Sequence, residues 1–403
     1  MLKYKLAVLT SHLIQYQTPL FRKIADKSEI DLTVFFCWRF GVQGDVYDTE
    51  FGKKIKWDIP LLEGYKYKFL KNFSLKPSSE FWGQINLGII KEIYDLRFKN
   101  YNGILIFGWN SFTNWLAFLT AFILGLPVFL RGENPLNQEL LKPKWKIKIK
   151  KVILGNLFKR ISAFLYIGEE NKKFYQYYGV SEEKLFFVPY AVDNERYIAA
   201  AENFEPQKQK FRNELGIKQN DGVILFGGKL IEKKRPMDLL MAYELLSKIK
   251  NQKIKIHLVF MGDGALRLEL EKYVEENNLK NIHFVGFKNQ TELPKYYAMA
   301  DVFILPSGVG ETWGLMVNEA MCFGLPVIVS DIVGCGFNLV KQGENGYIFP
   351  LGNVERLADY LTAILENFNK RILFGEKSFS IIQKYNYEND IKGILKAIIC
   401  STK

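Results

Sequence analysis

Short uninterrupted apolar runs alternate along the first half of the chain with longer stretches whose apolar residues recur every three or four positions. The runs at residues 5–10 (KLAVLT), 31–37 (DLTVFFC), 103–107 (GILIF), 127–131 (PVFLR) and 163–167 (AFLYI) read as strands buried on both faces. The stretches between them read as helices, the first beginning with Thr18 as N-cap and Pro19 as first helical residue. That alternation predicts a parallel sheet covered by helices over residues 1–198. Residues 199–213 (AAAENFEPQKQKFRN) are polar without strand pattern and predict an exposed connection. The pattern then restarts, with strands expected at 222–227, 254–261, 282–286, 301–305 and 326–330. Helices are expected from Pro236, Ala265, Glu292, Gly314 and Val354. The expected architecture is therefore two Rossmann-like α/β domains facing across a cleft, 1–198 and 214–372. A C-terminal helical segment, 373–403, is expected to cross back to the first domain.

Composition narrows the picture. With 403 residues, 48% hydrophobic and 24% charged, the chain is an ordinary globular protein, not a disordered or fibrous one. Its four cysteines (Cys37, Cys322, Cys335, Cys400) show no metal-type spacing and suit a reducing compartment. The start, MLKYKLAVLTSHL, has too short an apolar run for a signal peptide. The greasy stretch 116–130 is broken by Gly125 and Pro127 before it reaches a spanning length of about 20 residues. A cytoplasmic protein, without a spanning segment, is expected.

Ligands of open α/β sheets sit at the carboxyl ends of the strands, so the chemistry is sought in the loops that follow them. After 222–227 comes GGKLIEKKRP, where Gly228 lets a ligand approach the backbone and Lys229 and Lys234 bring two positive charges to one anion. The strand 256–261 ends in Gly262-Asp263-Gly264. The strand 301–305 ends in PSGVGETWGL, with Glu311 in the loop, the amides of Gly314 and Leu315 at a helix start, and Glu319 about a turn and a half into the helix. Carboxylates for sugar and ribose hydroxyls and amides for a phosphate together describe a nucleotide sugar.

GGKLIEKKRP, LVFMGDG, NIHFVGF, LPKYYAMADVFILPS, GETWGLMVNEAMCFGLPVIVSD and GENGYIFP resemble the C-terminal half of family-4 glycosyltransferases, retaining enzymes of the GT-B type. The resemblance implies hexosyl transfer from a nucleotide-diphosphate sugar, in cell-surface polysaccharide, lipopolysaccharide or glycolipid synthesis. It implies that Lys229 and Lys234 hold the diphosphate, Glu311 contacts the donor sugar, Glu319 binds the ribose, and Phe287 with Lys288 lies by the nucleobase. The N-terminal half resembles the family more loosely, in HLIQYQTPLFRKIAD, RGENP and FVPYAVD, and has Gly108-Trp109-Asn110-Ser111 where some members carry a histidine. His12, after the first strand, is the candidate on the acceptor side, and Glu133 a second polar residue there. Two other classes stay open: a nucleotide-sugar epimerase on the same plan, and a non-catalytic binding module of a membrane complex.

Charge adds a partner. Residues 1–200 hold 29 basic and 19 acidic residues, against 26 and 24 in the remainder. Residues 142–160 (KPKWKIKIKKVILGNLFKR), with Lys142 and Arg160 at the ends, carry eight basic residues, no acid, and interleaved apolar ones. Two readings follow: a helix with solvated lysines, or contact with anionic lipid, where a glycan or lipid-linked acceptor would be found. Nucleic acid is not expected, for no recognition module accompanies the charge. No cofactor or metal is expected either: no Asp-x-Asp occurs, and lysines with a helix terminus suffice for a leaving diphosphate.

Overall fold

The computed structural model describes residues 3–41, 46–48, 53–249 and 254–401. The chain forms two compact units: Met1–Val46, Ile59–Tyr190 and Tyr387–Lys403 make the first, Tyr47–Asp58 and Ala191–Asn386 the second.

The first unit is built on β1 (Tyr4–Thr10), β2 (Ile30–Phe36), β5 (Lys66–Phe69), β6 (Gly103–Phe107), β7 (Val128–Arg131), β8 (Ala163–Tyr166) and β9 (Leu185–Phe187); β3 (Val46–Asp48) and β4 (Lys53–Ile55) form a separate two-stranded ribbon. The seven strands lie in the order β5-β2-β1-β6-β7-β8-β9, every pair parallel. Chain order reverses between β1 and β6, the switch point at which such sheets take ligands. One core fills a face of this sheet, where Ile93, Phe118 and Leu157 of three helices meet Ile104, Ile106 and Leu130.

In the second unit β10 (Gly222–Gly227), β11 (Ile256–Met261), β12 (Ile282–Gly286), β13 (Val302–Leu305), β14 (Val327–Ser330) and β15 (Gly346–Phe349) form a parallel sheet in the order β12-β11-β10-β13-β14-β15. Its switch point lies between β10 and β13. Those two strands are fully buried, as their apolar runs require.

Three expectations are corrected. The segment 199–213, though exposed at several polar positions, is not a connection between the units: it lies within the second unit, where the helix Asn194–Phe204 runs through a short turn into Lys208–Asn213, and Phe211 and Arg212 are buried. Arg212 makes the segment look polar, yet it is tied to Asp301 at 2.8 Å and to the Met299 carbonyl at 2.9 Å. The return to the first unit begins at Tyr387, not at 373, since the helix Phe368–Ile382 still belongs to the second unit. The helix Tyr387–Ser401 is held there by Tyr387, whose hydroxyl donates to the Tyr16 carbonyl at 2.9 Å, and by a buried Arg131–Asp390 pair at 3.4 Å. Burial pushes Asp390 up to about 7 against the opposing pull of Arg131. Finally, Gln17 and not Thr18 occupies the N-cap position of the first helix, without a side-chain cap hydrogen bond, and Thr18 is already inside the helix with a buried hydroxyl lacking a hydrogen-bond partner.

Candidate active site

The loops that leave β10 and β13 meet at the switch point of the second sheet, stitched by backbone: the Gly308 amide donates to the Lys233 carbonyl at 2.7 Å. Gly262, at the exit of β11, lies so close that a Cβ there would fall 1.7 Å from the Gly228 carbonyl oxygen, and its φ of +151° is one that glycine tolerates. The turn Gly262-Asp263-Gly264 therefore buttresses the Gly228-Lys229 turn, and Asp263 lends its backbone carbonyl to the Leu230 amide at 2.9 Å. Its carboxylate accepts from the Gly264 amide at 3.1 Å.

Lys229 is half-buried beside Gly228. Lys234, from the short turn Glu232–Lys234, reaches the Glu311 carboxylate and forms an ion pair with it; the two side chains are 15% and 11% exposed. The family resemblance assigns these two residues to different parts of a ligand, and the structure brings them into direct contact. Gly314, with φ of +103°, turns the chain into the helix Leu315–Cys322, so the first amides of that helix start beside Glu311. Trp313 is locked over that start by its indole N–H, which donates to Asn318 at 2.9 Å.

Glu319 is fully enclosed. Its Oε1 accepts from the Tyr197 hydroxyl at 2.7 Å and its Oε2 from the Tyr297 hydroxyl at 2.5 Å. The carboxylate that the resemblance assigns to a ribose thus ties the helix Asn194–Phe204 and the helix Leu293–Met299 to the helix at the site. Sequence reasoning missed both tyrosines, because no local pattern marks residues 122 and 22 positions away as its partners. It also missed Trp57, whose ring centroid lies 6.4 Å from that of Phe287. Lys288, next to it, sits over the Tyr296 ring at 5.5 Å and 3.6 Å from Glu292.

In the first unit, His12 follows β1 at the switch point of that sheet. Its Nδ1 is 2.9 Å from the Ser11 hydroxyl, Trp38 and Phe40 meet it edge-on, and burial pushes its pKa down to about 4, so the ring is neutral at neutral pH. Glu133 is pushed up by burial, against Arg131 and a hydrogen bond from Tyr190. In the helix Lys144–Lys159 the lysines do not all face water: Lys150 pairs at 2.8 Å with buried Glu139, which Lys142, just before the helix, also meets at 2.9 Å. Burial alone would raise Glu139, but Lys150, Lys142 and Tyr178 outweigh it and hold the carboxyl below its usual range. Among the described residues no helix is long and apolar enough to cross a membrane.

Two parallel-sheet α/β units with a lysine–carboxylate cluster at the second switch point define a GT-B type fold. HepE of Anabaena, solved in complex with UDP, superposes with a TM-score of 0.72 over 97% of this chain and 98% of its own, at 18% identity. Residues 207–380 match the family described as glycosyl transferases group 1. An uncharacterized glycosyltransferase of Methanocaldococcus jannaschii is 30% identical over 189 residues, 46% of this chain and 47% of that protein. The sulfoquinovosyl transferase of Arabidopsis thaliana is 30% identical over 186 residues, 46% of this chain and 34% of that protein. The chain thus spans less than half the length of these relatives.

Proposed function

We propose that the protein is a retaining glycosyltransferase that moves a hexosyl group from a nucleotide-diphosphate sugar to an acceptor hydroxyl. The observation that carries this reading is the Lys234–Glu311 pair at the switch point, beside the start of the helix Leu315–Cys322. As the bond from the anomeric carbon to the diphosphate lengthens, negative charge grows on the leaving oxygen. Lys229, Lys234 and the amides at Gly314 and Leu315 are placed to stabilise that growth more than the ground state, which is what raises turnover. Glu311 orients the sugar, Phe287 with Trp57 offers faces for a base, and Glu319 acts by holding the helix that carries the site. His12, neutral and at the first sheet's switch point, serves the acceptor side. Because side chains and amides meet the charge, turnover is expected to persist in a chelator.

The Anabaena structure makes UDP-sugars the first donors to test. A glycan or lipid-linked acceptor of cell-surface synthesis is in keeping with the sulfoquinovosyl transferase among the relatives. We place the protein in the cytoplasm, peripheral on an anionic membrane through Lys144, Lys146, Lys148 and Lys151, all exposed. The test is a thermal-shift panel of nucleotide sugars followed by transfer assays: stabilisation by one nucleotide sugar, lost in Lys234→Ala, supports the reading. Stabilisation by none contradicts it.

A further inference from the structure

Two features of the first unit take no part in donor chemistry: Trp109, which follows β6, and the basic helix Lys144–Lys159. They meet in a groove of about 380 Å³ walled by Trp109, Trp115, Trp145, Ile149 and Ile153, with Leu154 beneath. The inner wall is fixed by the core. The Trp109 ring lies parallel to Phe174 at 6.0 Å and edge-on to Phe158 at 5.7 Å, and the Trp115 indole N–H donates to the Trp109 carbonyl at 2.9 Å. The outer wall is left to solvent: Trp145, Ile149 and Ile153, at i, i+4 and i+8 of one helix, are 60%, 54% and 48% exposed. Leu119 and Ile123, one and two turns beyond Trp115, continue the apolar surface at 54% and 72% exposed. A contiguous exposed apolar face of this kind marks a binding site.

The lining selects among occupants. A sugar needs several placed hydrogen-bond partners for its hydroxyls. Here the Trp115 N–H is already used, and the charged groups at the groove are the ammoniums of Lys146 and Lys150, the second held by Glu139. A hydrocarbon chain asks for no such partners. The helix bears six lysines and no acid, and Lys146, over the Trp145 ring at 5.4 Å, stands at the rim. Apolar residues flanked by lysines with buried stems are how a surface helix takes the chain of a lipid and meets its anionic head. We propose that this groove binds the hydrocarbon chain of an anionic lipid, its head group at Lys146. The site deepens the anionic-membrane contact proposed above for the same helix, and it does not depend on the donor chemistry proposed for the second unit.

The test uses the full chain and dodecyl phosphate below its micelle concentration, followed by titration calorimetry. Saturable binding is expected, with octyl phosphate at least tenfold weaker, since each buried methylene is worth about fourfold in affinity. Inorganic phosphate should not bind. Ile153→Asp and Trp145→Ala, both at exposed positions, should each weaken dodecyl phosphate at least tenfold with an unchanged melting temperature. Lys146→Gln should weaken dodecyl phosphate several-fold and leave dodecyl maltoside, the weaker ligand, unaffected. Equal affinity for octyl and dodecyl phosphate, undiminished binding in both Ile153→Asp and Trp145→Ala, or maltoside binding as tight as phosphate would each overturn the proposal.

Discussion

Replacing Lys234 by alanine separates catalysis from architecture at the candidate site. The lysine and Glu311 are only 15% and 11% exposed, so their contact is largely out of water and exceeds the ~0.2–1 kcal/mol of an exposed ion pair. A charge-assisted hydrogen bond in such a setting contributes about 1.5–3 kcal/mol. If the same ammonium meets the charge that develops on the diphosphate, Lys234→Ala lowers kcat/KM by roughly 10- to 100-fold, about 1.4–2.8 kcal/mol of transition-state stabilisation. The substitution also strands a mostly buried carboxylate, which costs stability in the range of about 1–3 kcal/mol. Adding Glu311→Gln removes the stranded charge, so the double variant should regain much of the melting temperature and none of the turnover. Initial rates of transfer and calorimetric melting on the two variants read the two effects apart. Full turnover in Lys234→Ala, or turnover that recovers together with stability in the double variant, refutes the reasoning.

Three further outcomes are expected. Glu319→Gln should lower the melting temperature and weaken UDP together, because the carboxylate holds Tyr197 and Tyr297 around the helix that carries the site; an unchanged melting temperature would deny it that role. His12, whose folded-state pKa lies near 4, binds fewer protons than the unfolded chain between about pH 4 and 6.5, so its contribution is present above that window and lost as the pH falls through it; His12→Gln should lose less stability than the parent protein over that interval in acid melts. Co-sedimentation with anionic vesicles at low salt should fall when Lys144, Lys146, Lys148 and Lys151 become glutamine, whereas binding that survives the change would mean these lysines are merely solvated.

The parallel strands were legible because strands buried on both faces must be continuous apolar runs; GVILFG and VFIL announce β10 and β13 almost to the residue. Edge strands obey no such rule. β5, KYKF, is exposed along most of its length and carries the lysines that keep a sheet edge from pairing with another chain, so it reads as a loop. The connection was misread for the opposite reason: one of its charges, Arg212, is spent inside the fold on Asp301. At the site, local spacing placed Lys229, Lys234 and Glu311 on two loops, and only the strand order shows that these loops are neighbours. The surroundings of Glu319 stayed hidden, since partners on distant helices leave no mark near Glu319 itself.

The Lys234–Glu311 pair is held in place by something other than its own attraction. The Gly308 amide bonds the Lys233 carbonyl, and the Glu311 backbone is fixed from both sides, its amide to the Gly308 carbonyl at 3.2 Å and its carbonyl from the Gly334 amide at 3.2 Å. With both backbones anchored, the ammonium is able to exchange Glu311 for a phosphate oxygen while the loops stay where they are. On the function proposed above, engagement of Lys234 by the donor diphosphate would release Glu311 toward the sugar and so couple recognition of the two halves of the donor. On that proposal Glu311, which holds Lys234 in the ligand-free protein, would compete with an incoming diphosphate for it. Glu311→Gln should therefore bind UDP as well as or somewhat better than the parent protein, by calorimetric titration, while transfer falls at least tenfold. UDP binding that weakens in Glu311→Gln would show that the carboxylate supports the diphosphate instead of yielding to it, and the exchange would have to be abandoned.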